Sequence, residues 1–282
     1  TSAQLTLEGC DISKNGEIGM VIEDSLPIEI NSCTIQENKL HGCILKQTVV
    51  NFEKCVIKHN NQIGFCVIDK SKGIVSNCKF IRNGSYSVQM ENEETSLEFK
   101  RCEFTEQTTA GAVMISGVRL SSFTECIFKQ NAGIAVEVVN GGSVALKKCS
   151  VTESTAEIGI SINGGSINAD ECLITGLQQA GIIADFESTI VARGTKLKEN
   201  GLCALYFRNN SHGDIQNCEI CSNEQYGIII ESGDPVIKGN VIEDHTGCGI
   251  YMTVDTATIG DNVYRDNEAG DVYFDDSNEE ES

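Results

Sequence analysis

Two carboxylates have a spacing that could do chemistry. Asp185 and Glu231 fall at equivalent positions of a repeat, two units apart. Stacked units with a rise of about 4.8 Å would put their backbones roughly 9.6 Å apart. Inverting sugar hydrolysis holds its acid and base about 6.5–9.5 Å apart. A strongly acidic repeat offers such pairs by chance, so the spacing alone does not establish the reaction. Asp185 beside Arg208 is too thin a constellation for a calcium-and-arginine elimination site. Cys218 and Cys221 form a lone C-x-x-C with no second pair nearby, which excludes a zinc site on spacing. His41, His59, His212 and His245 are scattered over separate units, and no phosphate-cradling loop, nucleophile elbow or Ser-His-Asp arrangement is present. No metal or cofactor is expected.

The elements that would position such residues are read from the repeat. Cys10, Cys33, Cys55, Cys78, Cys102, Cys126, Cys149 and Cys172 follow one another at 22 to 24 residues, and Thr195, Cys218, Asn240 and Asn262 continue the series to twelve units. Two residues after each slot stands an apolar side chain, from Ile12 and Ile35 to Ile242 and Tyr264. Five residues after it comes Asn15, Asn38, Asn60, Asn83, Asn131, Asn200, Asn223 or Asn267, replaced elsewhere by Gln107, Ser154, Leu177 and His245. Near the ninth residue the chain is small, as at Gly19, Gly42, Gly111, Gly227 and Gly270. Apolar residues alternate at period two over three to five residues, as in Ile28-Glu29-Ile30, so the segments are short strands. Units this small cannot bury a core alone and must stack. The fold expected is all-β, a right-handed single-stranded parallel β-helix of about twelve coils spanning residues 1–274, a rod of roughly 55 Å. The Asn column should line a corner, tolerating a left-handed backbone and bonding coil to coil. The Cys column should be buried, reduced and without disulfides, its thiols acting as small hydrophobes.

Bulk composition narrows the partners. With 21 Lys and Arg against 41 Asp and Glu, the net charge of −20 repels phosphate backbones and anionic membranes, which argues against nucleic acid and membrane surfaces. No apolar run approaches the roughly 18 residues of a membrane span, and the amino end carries no signal pattern. The chain reads as soluble, and because it begins with Thr1 it reads as an excised or processed piece. Fourteen cysteines, nine of them in one inward column, favour a reducing compartment, cytoplasmic or nuclear. The sequons at Asn83 and Asn209 point weakly the other way. Residues 275–282 form an acidic run expected to be a disordered, solvated tail.

The corner Asn and Gly-Ile columns resemble the parallel β-helix repeats of carbohydrate-binding proteins and sugar hydrolases. They also resemble those of an intracellular branch, a β-helical F-box protein and the Shc-binding, cytokinesis-associated proteins. The resemblance covers essentially the whole chain and implies the fold far more firmly than an activity. The Asn-Thr-Asp, Asp-Asp, Gly-His-Gly and Arg-Ile-Lys motifs of the polygalacturonases are absent, and Ser211-His212-Gly213 is only a fragment of one.

Outward positions of the strand after the small residue are unusually apolar. They read Val21, Ile44, Cys66, Gln89, Val113, Glu137, Ser161, Ile183, Tyr206, Ile229, Tyr251 and Tyr273, and two residues further on Ile115 also falls outward. Toward the carboxyl end the stripe combines Ile183, Tyr206, Ile229, Tyr251 and Tyr273 with Asp185, Arg208, Glu231 and Asp275. Such a mixture marks a binding face. The reading is a non-catalytic scaffold that recognises a protein partner with a basic surface; the alternative is a glycan-binding or glycan-cleaving β-helix.

Overall fold

The computed structural model describes residues 5–276. Within them the chain winds through twelve coils, each contributing one strand to each of three twelve-stranded parallel sheets. In the first coil these strands are Leu5–Glu8, Asp11–Ser13 and Met20–Glu23, and in the last complete coil Thr258–Gly260, Val263–Arg265 and Val272–Phe274. Every strand pairs with its equivalent one coil away, so the register is set by the repeat itself. The sheets enclose a core of Ile, Val, Leu and Phe. At its centre Phe99 stacks on Phe123 with centroids 4.5 Å apart, Phe80 on Phe104 at 4.9 Å and Phe104 on Phe128 at 4.8 Å. These separations match the strand spacing, because stacked rings on adjacent strands inherit the hydrogen-bonded distance.

The Cys slot lies at the corner between the first and second sheets. Its members from Cys33 to Cys218 are buried, and all fourteen cysteines of the chain are free thiols. They are more than small hydrophobes. The backbone N–H of Cys10 donates to Cys33 Sγ, that of Cys33 to Cys55 Sγ and that of Cys55 to Cys78 Sγ, at 3.3 to 3.4 Å. In return the thiols donate to carbonyls of the preceding coil, Cys102 to Val75 and Cys149 to Phe123, both at 3.3 Å. Thr195 and Asn240 do the same work with stronger groups. Thr195 Oγ1 accepts from Cys172 N and donates to the Ala169 carbonyl, and Asn240 accepts from Cys218 N and donates to the Ile215 carbonyl. The slot therefore selects a side chain that both donates and accepts, since the corner strands a buried amide and a buried carbonyl.

The Asn column occupies the next corner, and one expectation about it is corrected. The left-handed residue is the one before the Asn: Lys14, Glu37, His59 and Arg82 have φ between 46° and 56°. Turning the backbone there frees the Asn amide to bond along the axis. Asn15 Nδ2 donates to Asn38 Oδ1, Asn38 to Asn60 and Asn60 to Asn83 at 2.8 to 3.0 Å, and Asn200 continues to Asn223 at 2.9 Å. The small residue that follows is forced by this ladder. A Cβ on Gly42 would stand 2.7 Å from Asn60 Nδ2 and 2.5 Å from the Gly64 carbonyl.

Two register assignments shift by one residue. Val88 pairs with Val113 and Gln89 with Met114, so in the fifth coil Met114 and Ser116 face outward while Val113 and Ile115 are buried. That coil carries one more residue between corner and strand than its predecessor. In the last coil Ile250 pairs with Val272, which puts Asp271 rather than Gly270 in the small-residue position. Asp275 is pinned to the helix through its N–H to the Met252 carbonyl at 2.8 Å, and residues 277–282 of the acidic run lie outside the described residues.

Candidate functional site

The outward face of the third sheet in the last five coils brings the expected residues together, but in different roles. Ile183 and Ile229 are only 7% and 6% exposed. With Ala180 and Cys203 they form a small apolar cluster outside the main core, and Tyr206, Tyr226 and Tyr251 pack against it. The isoleucines are thus a floor and the tyrosines the surface above it. Tyr273 is 51% exposed, its ring stacked 5.8 Å from that of Tyr251. Tyr226, which precedes the small residue and so lay outside the two columns read from the sequence, places its ring 5.2 Å from Tyr251.

Asp185 is 7% exposed and fully engaged. Arg208 reaches it with Nε at 2.8 Å and with a second guanidinium nitrogen at 2.6 Å, while Asn209 Nδ2 and the Phe186 N–H donate to its other oxygen at 2.6 and 2.9 Å. A carboxylate so tied is a clamp on the turn after the strand. The turn holds Phe186 55% exposed at φ 52°, a backbone region that a bulky side chain rarely adopts. Sequence reasoning missed Phe186, because nothing in the repeat distinguishes a turn residue beyond the strand.

Tyrosine hydroxyls donate to carboxylates repeatedly on this sheet. Tyr206 bonds Glu231, Tyr251 bonds Asp275 at 2.6 Å, and Tyr86 bonds Glu137 lower on the rod. Burial, with the nearby negative Glu231, pushes the Tyr206 phenol well above its usual range. The Asp275 carboxylate pushes that of Tyr251 up to about 12. Arg208 also stands 5.8 Å from the Tyr206 ring centroid, over its face. Tyr206 and Tyr251 are thus amphipathic rings whose oxygens are fixed by acceptors. Asp185 and Glu231 do not share a partner, and each is held by its own donor.

Other sequence motifs dissolve into structure. Asn83 is buried in the corner ladder, and the Asn209 amide serves Asp185, so both sequons are structurally engaged. Burial pushes the Cys66 and Cys218 thiols up to about 11, which keeps them protonated. Among the described residues no three His, Cys, Asp or Glu side chains come close enough to hold a metal ion, and no helix is long and apolar enough to cross a membrane.

The model of the right-handed β-helix region matches residues 1–155 and again 135–280. The chain belongs to the right-handed β-helix family. No curated protein matches its sequence. Solved structures of the same shape include the periplasmic alginate epimerase AlgG, with a TM-score of 0.70 and 12% identity over 91% of this chain and 75% of that one. An alginate lyase from Paenibacillus sp. str. FPU-7 matches with a TM-score of 0.63 and 9% identity over 89% and 99%. The A-module of the Azotobacter vinelandii mannuronan C-5 epimerase AlgE4 matches with a TM-score of 0.55 and 11% identity over 88% of each.

These likenesses correct two expectations. The non-catalytic protein-recognition scaffold gives way, because these similar β-helices are an alginate epimerase, an alginate lyase and a mannuronan C-5 epimerase. The cytoplasmic or nuclear address, drawn from the free thiols, is set aside as well: the similar structures include a periplasmic protein, and buried thiols do not by themselves report the compartment. The intracellular F-box and Shc-binding branch finds no counterpart among these matches.

Proposed function

We propose that this β-helix binds a glycan along the outward face of the third sheet in its last five coils. The observation that carries the reading is the row Tyr206, Tyr226 and Tyr251, packed over Ile183 and Ile229 and continued by Tyr273 stacked on Tyr251, with Arg208, Glu231 and Asp275 beside it. Sugar rings have apolar faces that lie on aromatic rings and hydroxyl edges that need fixed acceptors and donors, and this row supplies both. The fold likeness to alginate-acting proteins supports the same choice of ligand class.

The arrangement favours recognition over cleavage. Both oxygens of Asp185 are engaged by Arg208, Asn209 and the Phe186 N–H, so this carboxylate is bound into the fold rather than presented to a ligand. Glycan-array profiling followed by calorimetry tests the reading. Tyr206→Ala and Tyr251→Ala should each weaken binding by about 1 to 3 kcal/mol with the fold intact by circular dichroism. Unchanged binding in both variants would remove this face from consideration, and turnover of a bound glycan that disappears in Glu231→Gln would convert the reading to an enzyme.

A further inference from the structure

We infer that the glycan bound on this face lacks acidic groups, in contrast to the alginate on which the similar β-helices act. The inference rests on the binding face proposed above and concerns the charge of its ligand. Along the whole outward face of the third sheet the acidic side chains are Glu23, Glu91, Glu137, Asp185, Glu231 and Asp275, against two bases, Lys46 and Arg208. Six minus two leaves an excess of four negative charges.

Both bases already have a carboxylate partner within the face. Lys46 lies 2.6 Å from Glu23, and Arg208 lies 2.6 Å from Asp185. At the adjoining turns Lys70 is taken by Glu94 and Arg119 by Glu93, both at 2.9 Å. A polyuronate would bring one negative charge per ring onto a surface already negative, where the two bases of the face are each paired with a carboxylate. Each new carboxylate would have to shed water and face Glu231 or Asp275 at short range, where screening is weakest.

The acceptors present suit the other kind of ligand. Glu231 and Asp275 each accept from a tyrosine hydroxyl, and Glu231 keeps acceptor capacity for sugar hydroxyls or for an ammonium group. The tyrosines stay neutral at any physiological pH, since Tyr206 is pushed upward and Tyr251 to about 12. Stacking with the rings carries no charge requirement. The face therefore selects by exclusion, its negative field rejecting uronates and sulfated sugars while its rings accept unsubstituted or amino-bearing chains.

The experiment compares ligands of equal length on the intact protein: neutral gluco-, xylo- and fructo-oligosaccharides, an amino-bearing chitosan oligomer, and oligomers of alginate and polygalacturonate. Affinities are measured at low and high salt. At least one neutral or amino-bearing ligand should bind tenfold or more tighter than either uronate at low salt, with the uronate deficit shrinking as salt rises. The double variant Glu231→Lys, Asp275→Lys should narrow or reverse that preference. Tighter binding of a uronate by the unsubstituted protein, lost in Tyr206→Ala, would overturn the charge assignment and leave the binding face standing. Failure of every ligand to bind would overturn the face and the assignment with it.

Discussion

At the scale of single residues, the Cys slot shows how position can be legible while chemistry is not. Equal spacing places Cys33 to Cys218 inward, as found, and their apolar surroundings suggest packing alone. The hydrogen bonds appear only when coils are in register, since donor and acceptor lie 22 to 27 residues apart. The signal in the sequence was the company the cysteines keep: Thr195, Asn240 and Asn262 share the slot, and each can donate and accept. This yields a sharp comparison at Cys102, whose thiol donates to the Val75 carbonyl. Cys102→Thr and Cys102→Val have nearly the same shape and differ in the hydroxyl. The valine variant should be less stable than the threonine variant by about 1 to 3 kcal/mol, measured by urea unfolding. Equal stability would return the column to simple packing.

At the scale of the element, alternation fixed the strands but could not phase all of them. In Ala112-Val113-Met114-Ile115 every residue is apolar, so period two gives no preference between the two faces, and an extra residue at the preceding corner shifted the phase. The tyrosine stripe was legible because Tyr206 and Tyr251 alternate with inward apolar residues; Tyr226 was not, since it sits where the chain bends into the strand. The Asn ladder contains one titratable interruption. His245 is buried, its Nδ1 accepts from Asn223 N at 3.2 Å, and its Nε2 is without a hydrogen-bond partner. Burial lowers its pKa below the ordinary 6.5. The unfolded chain then binds the proton more tightly than the folded one. The His245 contribution to stability is accordingly complete above about pH 6.5 and is lost as pH falls toward the depressed folded value, at no more than about 1.4 kcal/mol per pH unit. His245→Asn should flatten the stability profile relative to the unsubstituted protein between pH 7 and 5, read from parallel denaturant titrations. Superimposable slopes in the two proteins would show that the ladder does not sense that proton.

At the scale of the whole molecule, each coil touches its neighbours and little else, as every sheet runs through strictly successive coils. Stability should then be distributed as a chain of nearest-neighbour interfaces. Hydrogen exchange is expected to be slowest around the stacked Phe80, Phe99, Phe104, Phe123 and Phe128, and faster toward Leu5–Glu8 and Val272–Phe274, whose strands pair on one side only. Phe104→Ala should lower protection most in the coils adjoining it, and a uniform loss along the rod would indicate a single cooperative unit instead. The fold at this scale was legible because twelve copies of one pattern repeat the same statement. Function was not, because the coil is shared by proteins of many activities and a column of buried thiols says nothing about what lies on the outer face. One consequence of that face follows from the repeat. Coils nine to twelve each carry one tyrosine of the row, Tyr206, Tyr226, Tyr251 and Tyr273, so a ring recurs with every coil, at a rise of roughly 4.8 Å. A linear ligand that advances by one coil along this stretch meets another ring, which lets a long chain settle in several neighbouring alignments on the rod.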